Sequence, residues 1–92
     1  MLTVEQRKAL AGNASNARIR WLLAYNVREY ARMKTSGELQ EHLDLIGNEA
    51  ADHYDILVTQ MRDGAKSRGE TPNEAQISAS AWELTLADIV NV

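Results

Sequence analysis

Residues 15–34 read SNARIRWLLAYNVREYARMK, and how this stretch folds decides the architecture of the chain. As a helix it places Ile19, Leu22, Leu23, Asn26, Val27, Tyr30 and Met33 along one side, the i, i+3, i+4 pattern of a stripe that faces a core. The spacing predicts one helix from Ser15 to Lys34. A second row, Trp21, Tyr25, Arg28 and Arg32, follows at steps of four, three and four, with Arg18 beside it. A surface helix has no need of a second aromatic row. Either another helix covers it, in the same chain or in a second copy, or it is an open surface of the residue types concentrated at interface hot spots.

Charge is divided along the chain. Up to Lys34 there are seven basic residues against Glu5 and Glu29, a net of +5; from Thr35 onward Arg62, Lys66 and Arg68 oppose eleven acids, a net of −8. Two oppositely charged halves can face each other when helices pair, within or between copies, or the basic part can meet an anionic partner. The whole chain has 92 residues, 45% hydrophobic and 25% charged, which suits one small folded domain spanning residues 1–92. A chain of this size buries only about 60–65% of its unfolded surface, so self-association would add useful burial. The opening MLTVEQRKAL is not a secretory leader, no apolar run approaches a membrane span, and cysteine is absent. A cytoplasmic location, without membrane contact, is the expectation.

Upstream of the basic stretch, Thr3 and Gln6 have capping-box spacing, and Gly12-Asn13 is a helix-ending pair. A short first helix from about Val4 to Ala11 is predicted, with Asn13 or Ser15 capping the helix that follows. A short helix, a glycine turn and a longer basic helix is also the order of a helix-turn-helix DNA reader. Here Asn13 and Arg18 stand where apolar contacts between the two helices belong, and the second helix is too long for a recognition helix.

Downstream, Thr35-Ser36-Gly37 breaks the basic helix, and Thr35 with Glu38 makes the next capping box. Leu39, Leu43, Ile46, Ala50, Tyr54, Leu57 and Met61 then mark one long helix that continues across Gly47, where Gly47-Asn48 can instead kink it or start a second helix. Its other face is acidic, with Leu45 and Ile56 aligned three turns apart among the acids. These two aliphatics define a second contact surface, for the C-terminal helix or for another subunit. Asp63 to Gly69 reads as a loop, and Thr71-Pro72-Asn73-Glu74 as a helix start with Thr71 as the cap. The last helix carries Ala75, Ala79, Trp82, Leu86 and Ile89 on one line, with Ile77, Ala81 and Leu84 beside it, and ends near Ile89 or Val90.

Chemistry is sparse in these residues. Glu49 and His53 are one turn apart, but His42 is too far along to join them, and no HExxH pattern is present, so no metal site is assigned. There is no nucleophile elbow, no phosphate-binding loop and no patterned carboxylate pair, so the sequence assigns no catalytic residue and no cofactor. The expectation is an all-α fold, a small helical bundle with a short N-terminal helix and three longer antiparallel ones. The function expected is non-enzymatic protein binding by an adaptor or inhibitor-like accessory protein that self-associates. Trp21, Tyr25, Arg28, Arg32 and Arg18 would bind the partner. The alternative is a nucleic-acid- or nucleotide-binding regulator that uses the same helix, with arginines on phosphates and rings on bases.

Overall fold

The computed structural model describes residues 2–92 and contains helices only. The order is α1 (Val4–Tyr25), α2 (Val27–Ser36), α3 (Leu39–Ser67) and α4 (Glu74–Thr85), the last running into a π-helical turn (Leu86–Val90). An all-α helical bundle is therefore the fold, but its elements are divided differently from the sequence expectation.

The first helix is long and the second is short. Thr3 forms the expected capping box: Gln6 N–H donates to Thr3 Oγ1 at 3.1 Å and Thr3 N–H to Gln6 Oε1 at 3.0 Å. Gly12, however, does not stop α1, and its backbone is not left-handed; among the described residues only Gly37 and Gly69 have positive φ. A glycine inside a helix costs roughly 1 kcal/mol relative to alanine. That cost is offset by tertiary packing, since Ala14 and Ala17, just beyond it, are buried against the rest of the bundle.

The break falls instead at Asn26, where φ −151° and ψ 60° leave the helical region. Asn26 N–H donates to the Leu22 carbonyl at 2.8 Å and closes α1, while its side-chain oxygen accepts from Glu29 N–H at 3.4 Å and opens α2. One residue thus ends one helix and caps the next. Gly37 then closes α2 in the left-handed conformation (φ 83°), and Glu38 N–H reaches back to the Met33 carbonyl at 2.9 Å. Thr35 lies in the last turn of α2, so its expected capping box with Glu38 does not form; Glu38 itself precedes α3 without a side-chain cap.

Helix α3 passes through Gly47 unbroken and also through Gly64, ending four residues later than the loop expected after Asp63. Buried Ala65 explains the extension, because ending at Asp63 would expose it. At 29 residues α3 is about 44 Å long and acts as the spine. The next cap is Asn73 and not Thr71: its side chain accepts from Gln76 N–H at 3.2 Å, so α4 starts at Glu74.

Helix α1 lies antiparallel along the first half of the spine. Ser15 Oγ donates to the Leu43 carbonyl at 2.9 Å, and Arg7 reaches the Asn48 carbonyl and pairs with Asp52. The two helices come close together at Gly47, where a Cβ would come within 2.9 Å of the Ala11 carbonyl oxygen. Helix α4 returns along the second half, held by Arg62 to Glu74 at 2.6 Å, Tyr54 to Ser78 at 2.7 Å and His53 to Asp88 at 3.0 Å. Ala14, Ala17, Ile46, Ala50 and Val90 form the core, with Trp82, Leu86 and Ile89 packed on it.

This arrangement is thin. The radius of gyration is 15.2 Å, against about 12 Å for a compact chain of this length, and the extents are 53 × 26 × 15 Å. Among the described residues the large apolar side chains that are buried are Leu22, Met33, Leu43, Ile46, Ile77 and Val90, the rest of the core being alanine. Val4, Leu23, Tyr25, Val27, Leu45, Ile56, Leu84 and Val92 are exposed. Among the described residues more large apolar side chains are exposed than fully buried, the others being partly buried.

Candidate functional site

The most distinctive surface lies where the end of α1 meets the π-helical turn. Arg18 is its support. Its guanidinium donates to the carbonyls of Val90 at 2.8 Å and Val92 at 2.6 Å, and to Nε2 of His42 at 3.2 Å. A cation at the carbonyl end of a helix complements the helix dipole and satisfies oxygens that have no partner within the helix. The same guanidinium lies 4.6 Å from the centre of the Trp21 ring, a cation–π contact. Burial holds the Arg18 pKa below its ordinary value, which still leaves the side chain charged at neutral pH.

Trp21, fixed from behind in this way, packs against Tyr25 with ring centroids 5.6 Å apart and planes tilted by 42°. Tyr25 is 75% exposed. The two rings form one wall of an open cleft of about 280 Å³, lined also by Ala17, Arg20, Ala24, Leu86 and Asn91. Leu86 and Asn91 come from the π-helical turn, whose widened ladder includes Asn91 N–H donating to the Leu86 carbonyl at 2.7 Å. Departures from regular helix of this kind recur at functional sites.

The row expected from the sequence is therefore only partly assembled. Arg18, Trp21 and Tyr25 are together, but the break at Asn26 interrupts the row, and neither Arg28 nor Arg32 lines the cleft. Arg32 is used within the chain. It pairs with Glu29 at 2.5 Å and Glu38 at 2.8 Å, which raises its own pKa and lowers those of both carboxyls. Arg28 is exposed and has no ion pair among the described residues. Arg20 joins the cleft instead, a residue outside the row expected from the sequence. A signal for it existed: Ala17, Arg20, Trp21 and Ala24 share a helical face. Nothing in the sequence pointed to Leu86 or Asn91, which arrive through tertiary packing.

Leu45 and Ile56 are 56% and 55% exposed on α3. The C-terminal helix does not cover them, because α4 packs along the line that includes Tyr54 and Arg62, on the other side of the spine. The two histidines are drawn into separate contacts, His42 with Arg18 and His53 with Asp88, so Glu49 and His53 do not act as a pair. Among the described residues no group of three or more His, Asp or Glu side chains is placed to hold a metal ion.

His42 gives this region a pH dependence. Burial, and then the positive charge of Arg18, lower its pKa below the ordinary value, with Glu29 opposing. The unfolded chain therefore takes up the proton first. Stability from this group is fully present above about pH 6.5, the ordinary histidine value, and is lost as pH falls below it. Urea unfolding near pH 7.5 and near pH 5.5 is expected to show a fall in stability that is smaller in His42→Gln, where the amide oxygen can still accept from Arg18. Equal pH slopes in the two proteins would remove His42 from the account.

Comparisons with protein-family models, with curated proteins and with solved structures found no match to the chain. No helix among the described residues is long and apolar enough to cross a membrane.

Proposed function

We propose that this chain is a non-enzymatic protein-binding module, an adaptor or inhibitor-like accessory protein whose anchor is the Trp21–Tyr25 cleft. The observation that carries this reading is Tyr25 itself: a large ring left in water, packed against a tryptophan that Arg18 holds in place, at the mouth of a cleft lined mainly by small and apolar side chains. Rigid aromatic groups bind at low entropic cost, and Trp, Tyr and Arg dominate interface hot spots. Arg20 on the rim, which has no ion pair among the described residues, favours a partner with an acidic group beside an apolar one. Self-association is part of the proposal, supported by the thin shape and the excess of exposed apolar side chains.

A nucleic-acid partner is the weaker reading, since Arg18 and Arg32 are committed within the chain and the net charge is −3. The test is cross-linked capture from the native host's extract, comparing the wild type with Tyr25→Ala. Both should have the same circular dichroism, because Tyr25 contributes little burial. We expect a protein captured by the wild type to fall at least about tenfold with Tyr25→Ala, the loss associated with a hot-spot side chain. Unchanged capture would rule out the cleft as anchor. Capture of nucleic acid that weakens steeply with salt would favour the alternative.

A further inference from the structure

The back of α3 is an acidic surface with an apolar centre. Leu45 and Ile56 lie three turns apart, and Glu49 lies between them one turn after Leu45. Glu41, Glu49 and Asp63 on this side are exposed and have no ion pair among the described residues, while Asp52 is taken by Arg7. Two such backs cannot bind each other well. Antiparallel alignment of Leu45 with Ile56 of a second copy brings Glu49 beside Asp52, whose partner Arg7 is already committed, and parallel alignment brings Glu49 beside Glu49; neither gives Glu49 an uncommitted cation.

The complement is present on the same molecule. At the end of α1, Arg20 is exposed, has no ion pair among the described residues, and borders the cleft formed by Trp21, Tyr25 and Leu86. Just beyond the Asn26 break, exposed Arg28 follows exposed Val27. Thus one face offers aliphatic side chains beside carboxylates that have no ion pair among the described residues, and another offers an aromatic cleft bordered by the Arg20 guanidinium. An interface of standard size needs roughly 800 Å² from each partner, about an eighth of the 6086 Å² this chain exposes.

We infer that these two faces bind each other between copies of the chain: the back of α3, through Leu45, Glu49 and Ile56, docks on the Arg20–Trp21–Tyr25 cleft of a second copy. This rests on the reading of the cleft as a protein-binding site and supplies its occupant. If the contact is made in both directions at once it closes as a dimer; if it is made head to tail it extends.

Charge exchange tests it. Arg20→Glu and Glu49→Arg change exposed side chains and leave the helices intact by circular dichroism. Sedimentation at low salt should give the wild type a mass at least twice 10.3 kDa. Each single variant should associate at least about tenfold more weakly. Association should return in the double variant and also in an equimolar mixture of the two single variants, because in a mixed pair every exchanged contact joins opposite charges. A wild type that stays at 10.3 kDa, single variants that associate as the wild type does, or a mixture that is not restored would each overturn the inference. A monomeric wild type whose partner capture still depends on Tyr25 would overturn the contact between copies and leave the protein-binding reading standing.

Discussion

Replacing Gly47 with leucine is expected to destabilise the fold by about 3 kcal/mol, at the upper end of overpacking costs, lowering the melting temperature by more than about 10 °C for a domain of this size. A Cβ at this position would be 2.9 Å from the Ala11 carbonyl oxygen, 3.0 Å from Ser15 Oγ and 3.3 Å from Ala11 Cβ. The nearest of these is backbone, so it cannot rotate aside. Helices α1 and α3 would have to separate, loosening the Ser15 to Leu43 hydrogen bond and the buried alanines around it. Gly12 is the internal control, since nothing lies within 4 Å of a Cβ there. Gly12→Ala should stabilise by up to about 1 kcal/mol through helix propensity. Thermal unfolding of both variants is decisive about the continuity of α1: if Gly12 ended a helix in a left-handed turn, its alanine variant would lose stability instead of gaining it.

The second large effect is expected at Leu22. It is 1% exposed at the end of α1, and neighbouring Leu23 is 49% exposed. Leu22→Ala should cost about 3 kcal/mol, within the range for buried leucines, whereas Leu23→Ala should cost less than about 1 kcal/mol in transferred area. Denaturant unfolding of the pair measures which side of α1 meets α3. Similar losses at both positions would place both leucines in the core, as the sequence stripe has them, and would contradict the exposure of Leu23 that accompanies the break at Asn26.

That break shows why the sequence is only partly legible. Leu22, Leu23, Val27, Tyr30 and Met33 keep helical spacing across Asn26, and the asparagine reads as one polar member of a continuous stripe. Periodicity does not distinguish a straight helix from two helices that each present apolar residues. The distinguishing signal was Asn26 three residues before Glu29, the same capping spacing recognised at Thr3 and Gln6. Near Asn73 two cap patterns overlap, Thr71 to Glu74 and Asn73 to Gln76, and local rules do not rank them. At Gly12 and Gly64 the helix signal comes from what the neighbouring alanines bury, which is tertiary information. The long spine and the break at Gly37 were readable because stripe and turn residue agree there.

The candidate site divides on the same line. Arg18, Trp21 and Tyr25 lie on one uninterrupted helix, so their proximity follows from spacing alone. Arg28 and Arg32 lie beyond Asn26 and are separated from them by a bend that spacing does not encode. Leu86 and Asn91 close the cleft from 60 or more residues away in sequence, through a π-helical turn that no local pattern announces.

The most direct test of the central claim, that protein covers the Trp21–Tyr25 cleft, is hydroxyl-radical footprinting of Tyr25. The purified chain would be labelled at high dilution, at high concentration, and in the native host's extract. Tyr25 is expected to label heavily when dilute and to be protected at least several-fold when concentrated or in the extract, with exposed Val4 unchanged as reference. Equal labelling of Tyr25 in all three conditions would contradict the account.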